Sequence, residues 1–147
     1  LKAARIAFEV RTYEVDESDL SGVSVARKCG LPAQQVFKTL LLKGERHGPL
    51  VCVLPVENEV DLKKLAALAG EKKVELAPLK ELTPLTGYIQ GGCSPIGMKK
   101  KYPTFLDESC REYEAIAVSA GMRGAQIVLP AEDLIRYTGA KVASVAQ

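Results

Sequence analysis

A chain of 147 residues, 47% apolar and 26% charged, matches a soluble globular protein that buries a core without metal or disulfide staples. Its net charge of +2 is too small to mark a nucleic-acid binder by itself, so the placement of the lysines carries that question. Cys29, Cys52, Cys93 and Cys110 lie far apart with no C-x-x-C pair, which points to reduced thiols in a cytosolic compartment and against a zinc or disulfide framework.

In chain order, "FEVRTYEV" (8–15) mixes β-branched and aromatic residues and predicts a strand. "SGVSVARKCGLP" (21–32) predicts a short helix capped by Ser21 and ended by Gly30 and Pro32. "VFKTLLLK" (36–43) and "LVCVLP" (50–55) predict two strands across the turn "GERHGP". "DLKKLAALAG" (61–70) is the clearest helix, with Asp61 as cap, Leu62, Leu65 and Leu68 as its buried stripe and Gly70 as its stop. A short strand follows at 73–77, then a helical turn opened by Pro78. "GYIQ" predicts a strand entering a glycine loop, and "PTFLD" (103–107) another beyond it. "AIAVSA" and "AQIVL" predict a hairpin across "GMRG", before a helix at 130–139 and a last strand in "AKVASV". Roughly eight short strands with three or four helices imply an α+β fold in a single domain, curled into a small mixed β-barrel with flanking helices. The longest apolar run is too short to span a membrane. No signal-peptide pattern is visible, and because the sequence starts at Leu1 a few residues are expected to precede it.

Chemistry concentrates in two places. Strand alternation puts Lys38 on one face with Val36, Leu40 and Leu42, where an ammonium is costly unless it meets an anion, a carbonyl or water. The bland alternative is a lysine that snorkels to the surface. The loop "GYIQGGCSPIGMKKKYP" (87–103) is either an ordinary turn or a cradle in which N–H groups around Gly91 and Gly92 hold an oxyanion or phosphate, stiffened by Pro95. Lys99, Lys100 and Lys101 are either a solvated charge run or a guide for a phosphate backbone. His47 is the only histidine and sits in a turn, which leaves Cys93 and the serines without a base. Cys93 reads better as a small apolar filler than as a nucleophile. No spacing suits metal ligation, and nothing calls for a cofactor. The residues together support a pocket for an anion or carbonyl with no evident protein nucleophile.

"VFKTLLLK", "GYIQGGCSPIGMKKKYP" and "AVSAGMRGAQIVL", in this order, resemble the YbaK/ProX family of trans-editing aminoacyl-tRNA deacylases, from "TYEVD" to the final helix. The form "GG-x-SP-x-G-x-KK" is most similar to the YbaK branch, which hydrolyses cysteinyl-tRNA(Pro). The resemblance implies that Lys38 is the essential lysine, with Thr39 beside it. It implies that Gly91 turns its backbone to the substrate ester, and that Tyr13, Thr39, Gly92, Ser94 and Ser119 contribute to substrate binding. Lys99, Lys100 and Lys101 would follow the acceptor stem of the tRNA. Gln126 stands where an acidic residue is expected, and an aromatic residue is expected near Ser21. The implied reaction is hydrolysis of mischarged Cys-tRNA(Pro), with the substrate's own thiol attacking the ester. The implied partners are aminoacyl-tRNA and prolyl-tRNA synthetase, with no membrane and no metal. The rival readings are a deacylase for another aminoacyl group such as alanine, and a non-catalytic module that binds tRNA or a synthetase.

Overall fold

The computed structural model describes residues 7–16 and 18–147. Glu9–Thr12 forms β1, shorter than its sequence pattern, and Gly22–Cys29 forms α1. Ser21 caps α1 through Oγ, which accepts the Ser24 N–H at 3.2 Å, and Gly30 ends it. Phe37–Gly44 (β2) and Gly48–Pro55 (β3) make the long hairpin, with Lys38 opposite Leu54. Glu71 fills the inside of the hairpin turn, its carboxylate accepting the N–H groups of Arg46 at 2.9 Å and His47 at 2.6 Å. Leu62–Ala69 (α2) starts at Asp61, whose side chain accepts the Lys64 N–H at 3.1 Å. Val74–Leu76 (β4), Leu79–Thr86 (α3), Thr104–Asp107 (β5), Ala115–Ser119 (β6), Ala125–Pro130 (β7), Ala131–Thr138 (α4) and Lys141–Ala143 (β8) follow.

Of the stripe expected on α2 only Leu65 is buried, with Ala66 beside it, while Leu62 and Leu68 are exposed. Some segments also differ from expectation. "GYIQ" is not a strand: α3 continues past Leu82 and through Pro84, and Gly87 is its cap. Two threonines secure that end of the helix, Thr86 Oγ1 donating to the Leu82 carbonyl at 2.6 Å and Thr83 Oγ1 to the Tyr88 carbonyl at 2.8 Å. Glu108–Glu112 forms a short 3₁₀ turn that the pattern did not suggest, capped by Asp107, which accepts the Ser109 N–H.

The strands pair into two sheets. One has the order β1-β7-β6 and is antiparallel throughout. The other runs β4-β2-β3-β5-β8, with β3–β5 and β5–β8 parallel. Among the described residues a single parallel bridge, Val36 to Ala117, joins the two. The five-stranded sheet is covered on both faces. Phe37, Leu41, Val51, Val53 and Leu106 pack against Ile116, Val118, Ile127 and Leu129 of the other sheet and Leu134 of α4. On the opposite face Leu42, Cys52, Leu54 and Phe105 pack with Leu65 and Ala66 of α2. Leu42 and Leu54 are fully buried, and each such side chain contributes about 1.5–3 kcal/mol. The result is an α+β fold in which β2 is gripped from both sides.

Candidate active site

Strand β4 pairs with Leu42–Gly44 and β6 meets the chain at Val36, so among the described residues the edge of β2 between them, around Lys38–Leu40, has no strand paired to it. A cavity of about 430 Å³ occupies this edge, a size typical of small-molecule sites. Val36 and the first five residues of β2, Phe37 to Leu41, form its floor. Gly22 and Val25 bound it on the α1 side; Ala77, Leu79 and Leu82 bound it on the α3 side. Gln90, Gly91 and Cys93 come from the glycine loop, and Ser119 and Gln126 from the three-stranded sheet. Both sheets therefore contribute to one chamber. The Leu41 carbonyl faces this edge, accepting the Ala77 N–H at 3.0 Å. By strand alternation Thr39, two residues earlier, turns its own N–H and C=O the same way, towards the cavity.

Lys38 lines the cavity and is half-buried. Among the described residues the ion pairs are Arg11–Glu9, Lys43–Glu81, Arg111–Glu132 and Arg136–Asp133, and Lys38 has a place in none of them. The contrast with Lys43, on the same strand and 2.8 Å from Glu81, is direct. Two oxygens in the same wall are also without partners: Thr39 Oγ1 and Gln126 Oε1 are buried and unbonded. Buried polar atoms are ordinarily satisfied, so orphans facing a cavity mark a place for an outside ligand. Ser119 sits opposite Gln126, its Oγ accepting the Gly121 N–H at 3.1 Å. Its hydroxyl proton is left to point elsewhere.

The glycine loop is built by close approach to the β6–β7 turn. A Cβ at Gly92 would lie 3.1 Å from the Met122 carbonyl carbon, so any side chain there would push the two backbones apart by a few tenths of an ångström. The Gly92 N–H is already bonded to the Ile89 carbonyl at 2.9 Å. Of the two loop N–H groups expected to cradle an anion, only that of Gly91 is unbonded among the described residues. Ser94 is buried and accepts the Ile96 N–H at 3.2 Å, which shapes the loop from within. Burial pushes the Cys93 thiol up to about 11, outweighing the lowering effect of the neighbouring Thr86 side chain. At neutral pH it is a protonated apolar filler.

Lys38, Thr39, Gly91 and Ser119 thus share one cavity, whereas Tyr13, Gly92 and Ser94 do not line it. Tyr13 follows β1 and donates its N–H to the Gly124 carbonyl at 2.9 Å. Lys99, Lys100 and Lys101 are exposed and outside the lining. The Lys99 side chain lies over Gly87 at the end of α3, and the Lys101 ammonium near Gly139 at the end of α4. Both places favour a cation, because helix C-termini carry partial negative charge. His47 is exposed in the β2–β3 turn, near Gly70 and away from the cavity. The apolar wall of Val25, Leu79 and Leu82 escaped the sequence reading, since leucines at helical spacing signal a core and not a lining.

Known proteins resemble this chain in sequence and in fold. Residues 20–137 match the family model described as an aminoacyl-tRNA editing domain. Over 141 residues, 96% of this chain and 86% of the relative, the sequence is 46% identical to a protein of Enterococcus faecalis (strain ATCC 700802 / V583) with the provisional name Cys-tRNA(Pro)/Cys-tRNA(Cys) deacylase EbsC. A solved structure provisionally described as a trans-editing enzyme for prolyl tRNA synthetase superposes with a TM-score of 0.84 at 27% identity, covering 95% of this chain and 87% of that one. A proline–tRNA ligase of Brachyspira hyodysenteriae (strain ATCC 49526 / WA1) is 26% identical over 111 residues, 75% of this chain but 19% of the ligase.

Proposed function

Since the chain belongs to the aminoacyl-tRNA editing domain family, we propose that its cavity deacylates cysteine mischarged onto tRNA(Pro). One observation carries this reading: an unpaired lysine and an unbonded backbone N–H converge on a chamber that holds no activated nucleophile. Such a site can orient an ester and stabilise charge, but the attacking atom must come from the substrate or from water. Cysteine supplies one. Its thiol sulfur attacks the ester carbonyl, the bond to the ribose oxygen breaks, and the thiol proton ends on that oxygen. The released cyclic thioester is then opened by water. Lys38 holds a carbonyl or phosphate oxygen, and the Gly91 N–H receives the developing oxyanion. Thr39 Oγ1 and Gln126 Oε1 accept hydrogen bonds from the cysteinyl amino and thiol groups and so orient them for attack. Selectivity then follows from chemistry, because a pocket alone separates cysteine from proline poorly.

Lining residues from position 20 to position 126 build this one site, which supports treating the chain as a single working domain. The Val36–Ala117 bridge is where the two sheets would close towards a barrel. The similarity to part of a proline–tRNA ligase supports prolyl-tRNA synthetase as a partner that delivers the tRNA. All four cysteines are buried and free, in keeping with a reducing, cytoplasmic setting.

Purified protein should deacylate cysteinyl-tRNA(Pro) at least about a hundredfold faster than alanyl-tRNA(Pro), a gap of about 2.7 kcal/mol in barrier. Equal turnover of both esters would favour an alanine-directed enzyme using water, and no turnover of either a binding module. Replacing Lys99, Lys100 and Lys101 together by alanine should weaken tRNA binding and reduce the slope of log affinity against log salt by about two to three. Turnover at saturation should change little. Because two of these lysines face helix ends, a stability loss below about 1 kcal/mol per lysine should accompany it. An unchanged salt slope would place the tRNA elsewhere.

A further inference from the structure

Arg123, at the tip of the β6–β7 turn between Ser119 and Gln126, lies 33 residues from Gln90 in the sequence. Its Nε donates a hydrogen bond of 2.7 Å to the Gln90 carbonyl. That carbonyl belongs to the same peptide unit as the Gly91 N–H, the unbonded donor in the cavity wall. The two groups point in opposite directions across a planar trans peptide, so holding one oxygen aims the other hydrogen.

The turn around this peptide leaves the question of its orientation open. The Gly92 N–H reaches the Ile89 carbonyl at 2.9 Å, and Gly91 has φ of +83°. A bonded four-residue turn with a left-handed third residue is type II when its second residue, here the non-glycine Gln90, keeps the negative φ usual for a residue with a side chain. Type I has the same ends and the same closing bond, but its central peptide is rotated by about half a turn. In this loop the central peptide is Gln90–Gly91. Glycine at position 91 permits the type II form without enforcing it, because glycine also adopts negative φ readily. Selection must come from outside the turn, and Arg123 is placed to do it. A Cβ at Gly91 would lie 3.4 Å from the same Nε, so the guanidinium rests directly against the residue it orients.

We propose that Arg123 is a positioning residue for the editing reaction: it locks the Gln90–Gly91 peptide in the type II orientation and so aims the Gly91 N–H into the cavity. A cationic donor on the Gln90 oxygen also draws electron density from the peptide and strengthens the N–H as a donor. The assignment rests on the function proposed above for the role of that N–H; the placement of the peptide does not.

The test compares wild type with Arg123→Ala and Arg123→Lys in steady-state hydrolysis of cysteinyl-tRNA(Pro), together with the Gly91 amide resonance of ¹⁵N-labelled protein. Arg123→Ala should lower kcat about 30-fold with KM within about threefold, since an interaction made only in the transition state is lost. The melting temperature should stay near that of wild type. Arg123→Lys, which keeps a cationic donor, should return kcat to within about fivefold, and added ethylguanidinium should partly restore the alanine variant. In Arg123→Ala the Gly91 resonance should shift or broaden as the two turn forms exchange. A raised KM with unchanged kcat would overturn the proposal and make Arg123 a plain phosphate contact. A fall in kcat that follows lost stability, with no rescue by lysine, would overturn it in favour of a structural role. If wild type hydrolyses no ester, the proposed function fails, and the Gly91 resonance alone then decides: perturbed, it upholds the placement of the peptide; unperturbed, it refutes it.

Discussion

Lys38→Ala should reduce deacylation of cysteinyl-tRNA(Pro) by about 10³-fold, the loss expected when a preorganised electrostatic contact to the reacting group disappears. The fold should survive. Lys38 is half-buried at an open strand edge and belongs to none of the ion pairs among the described residues, so little native structure depends on its ammonium. The strand is held by its neighbours, with Phe37 and Leu41 buried on one face and Leu42 on the other. Melting temperature should therefore move by no more than a few degrees. Lys38→Arg should fail almost as badly, because a planar guanidinium cannot place a compact charge in the same corner of the cavity. Thermal melts beside single-turnover kinetics would check both variants. A large drop in melting temperature with activity retained would mean that Lys38 serves only the surface of the strand.

An equally large effect is expected from the substrate side. Cysteinyl-tRNA(Pro) carrying an S-methyl group should be hydrolysed about 10³-fold more slowly than the free thiol, since its sulfur can no longer attack and lose a proton. Cys93→Ala should stay within about threefold of wild type. The pH dependence separates the two thiols independently. A substrate thiol near its ordinary value gives a rate that rises with pH and levels off around 8.5. A reaction through Cys93, whose burial pushes it up to about 11, would still be climbing two pH units later. A dead Cys93→Ala variant together with rapid cleavage of the S-methyl substrate would reject the substrate-assisted mechanism.

Residues whose meaning is local were legible in the sequence. Ser21 and Asp61 sit one place before their helices and cap them as their spacing requires. Lys38 drew attention because a cation among aliphatics violates its own strand's pattern. "GYIQ" reads as a strand because Gly87 looks the same whether it opens a strand or ends a helix, and α3 reaches it by running through Pro84, a residue that usually breaks a helix interior. The parallel pairing of β3, β5 and β8 has no local signature, as it depends on α2 and α4 filling the crossovers. Arg123 was illegible for the same kind of reason. An arginine in a turn between two strands breaks no rule, and its partner, the Gln90 carbonyl, is set by the meeting of two distant loops.

The three-stranded sheet has a consequence for how the protein comes into being on the ribosome. Its first strand, β1, finds its partner only in β7, with Glu9 opposite Val128. Nearly the whole chain must be synthesised before that pairing can begin, and such distant pairings form slowly. The hairpin of β2 and β3 can assemble early, carrying Lys38 with it. Ser119 and Gln126 arrive with the last third of the chain. A stalled or truncated nascent chain would hold the lysine but not the chamber around it. Such a fragment would expose the edge of β2 to other strands, a site for misassembly where the finished protein has a substrate pocket.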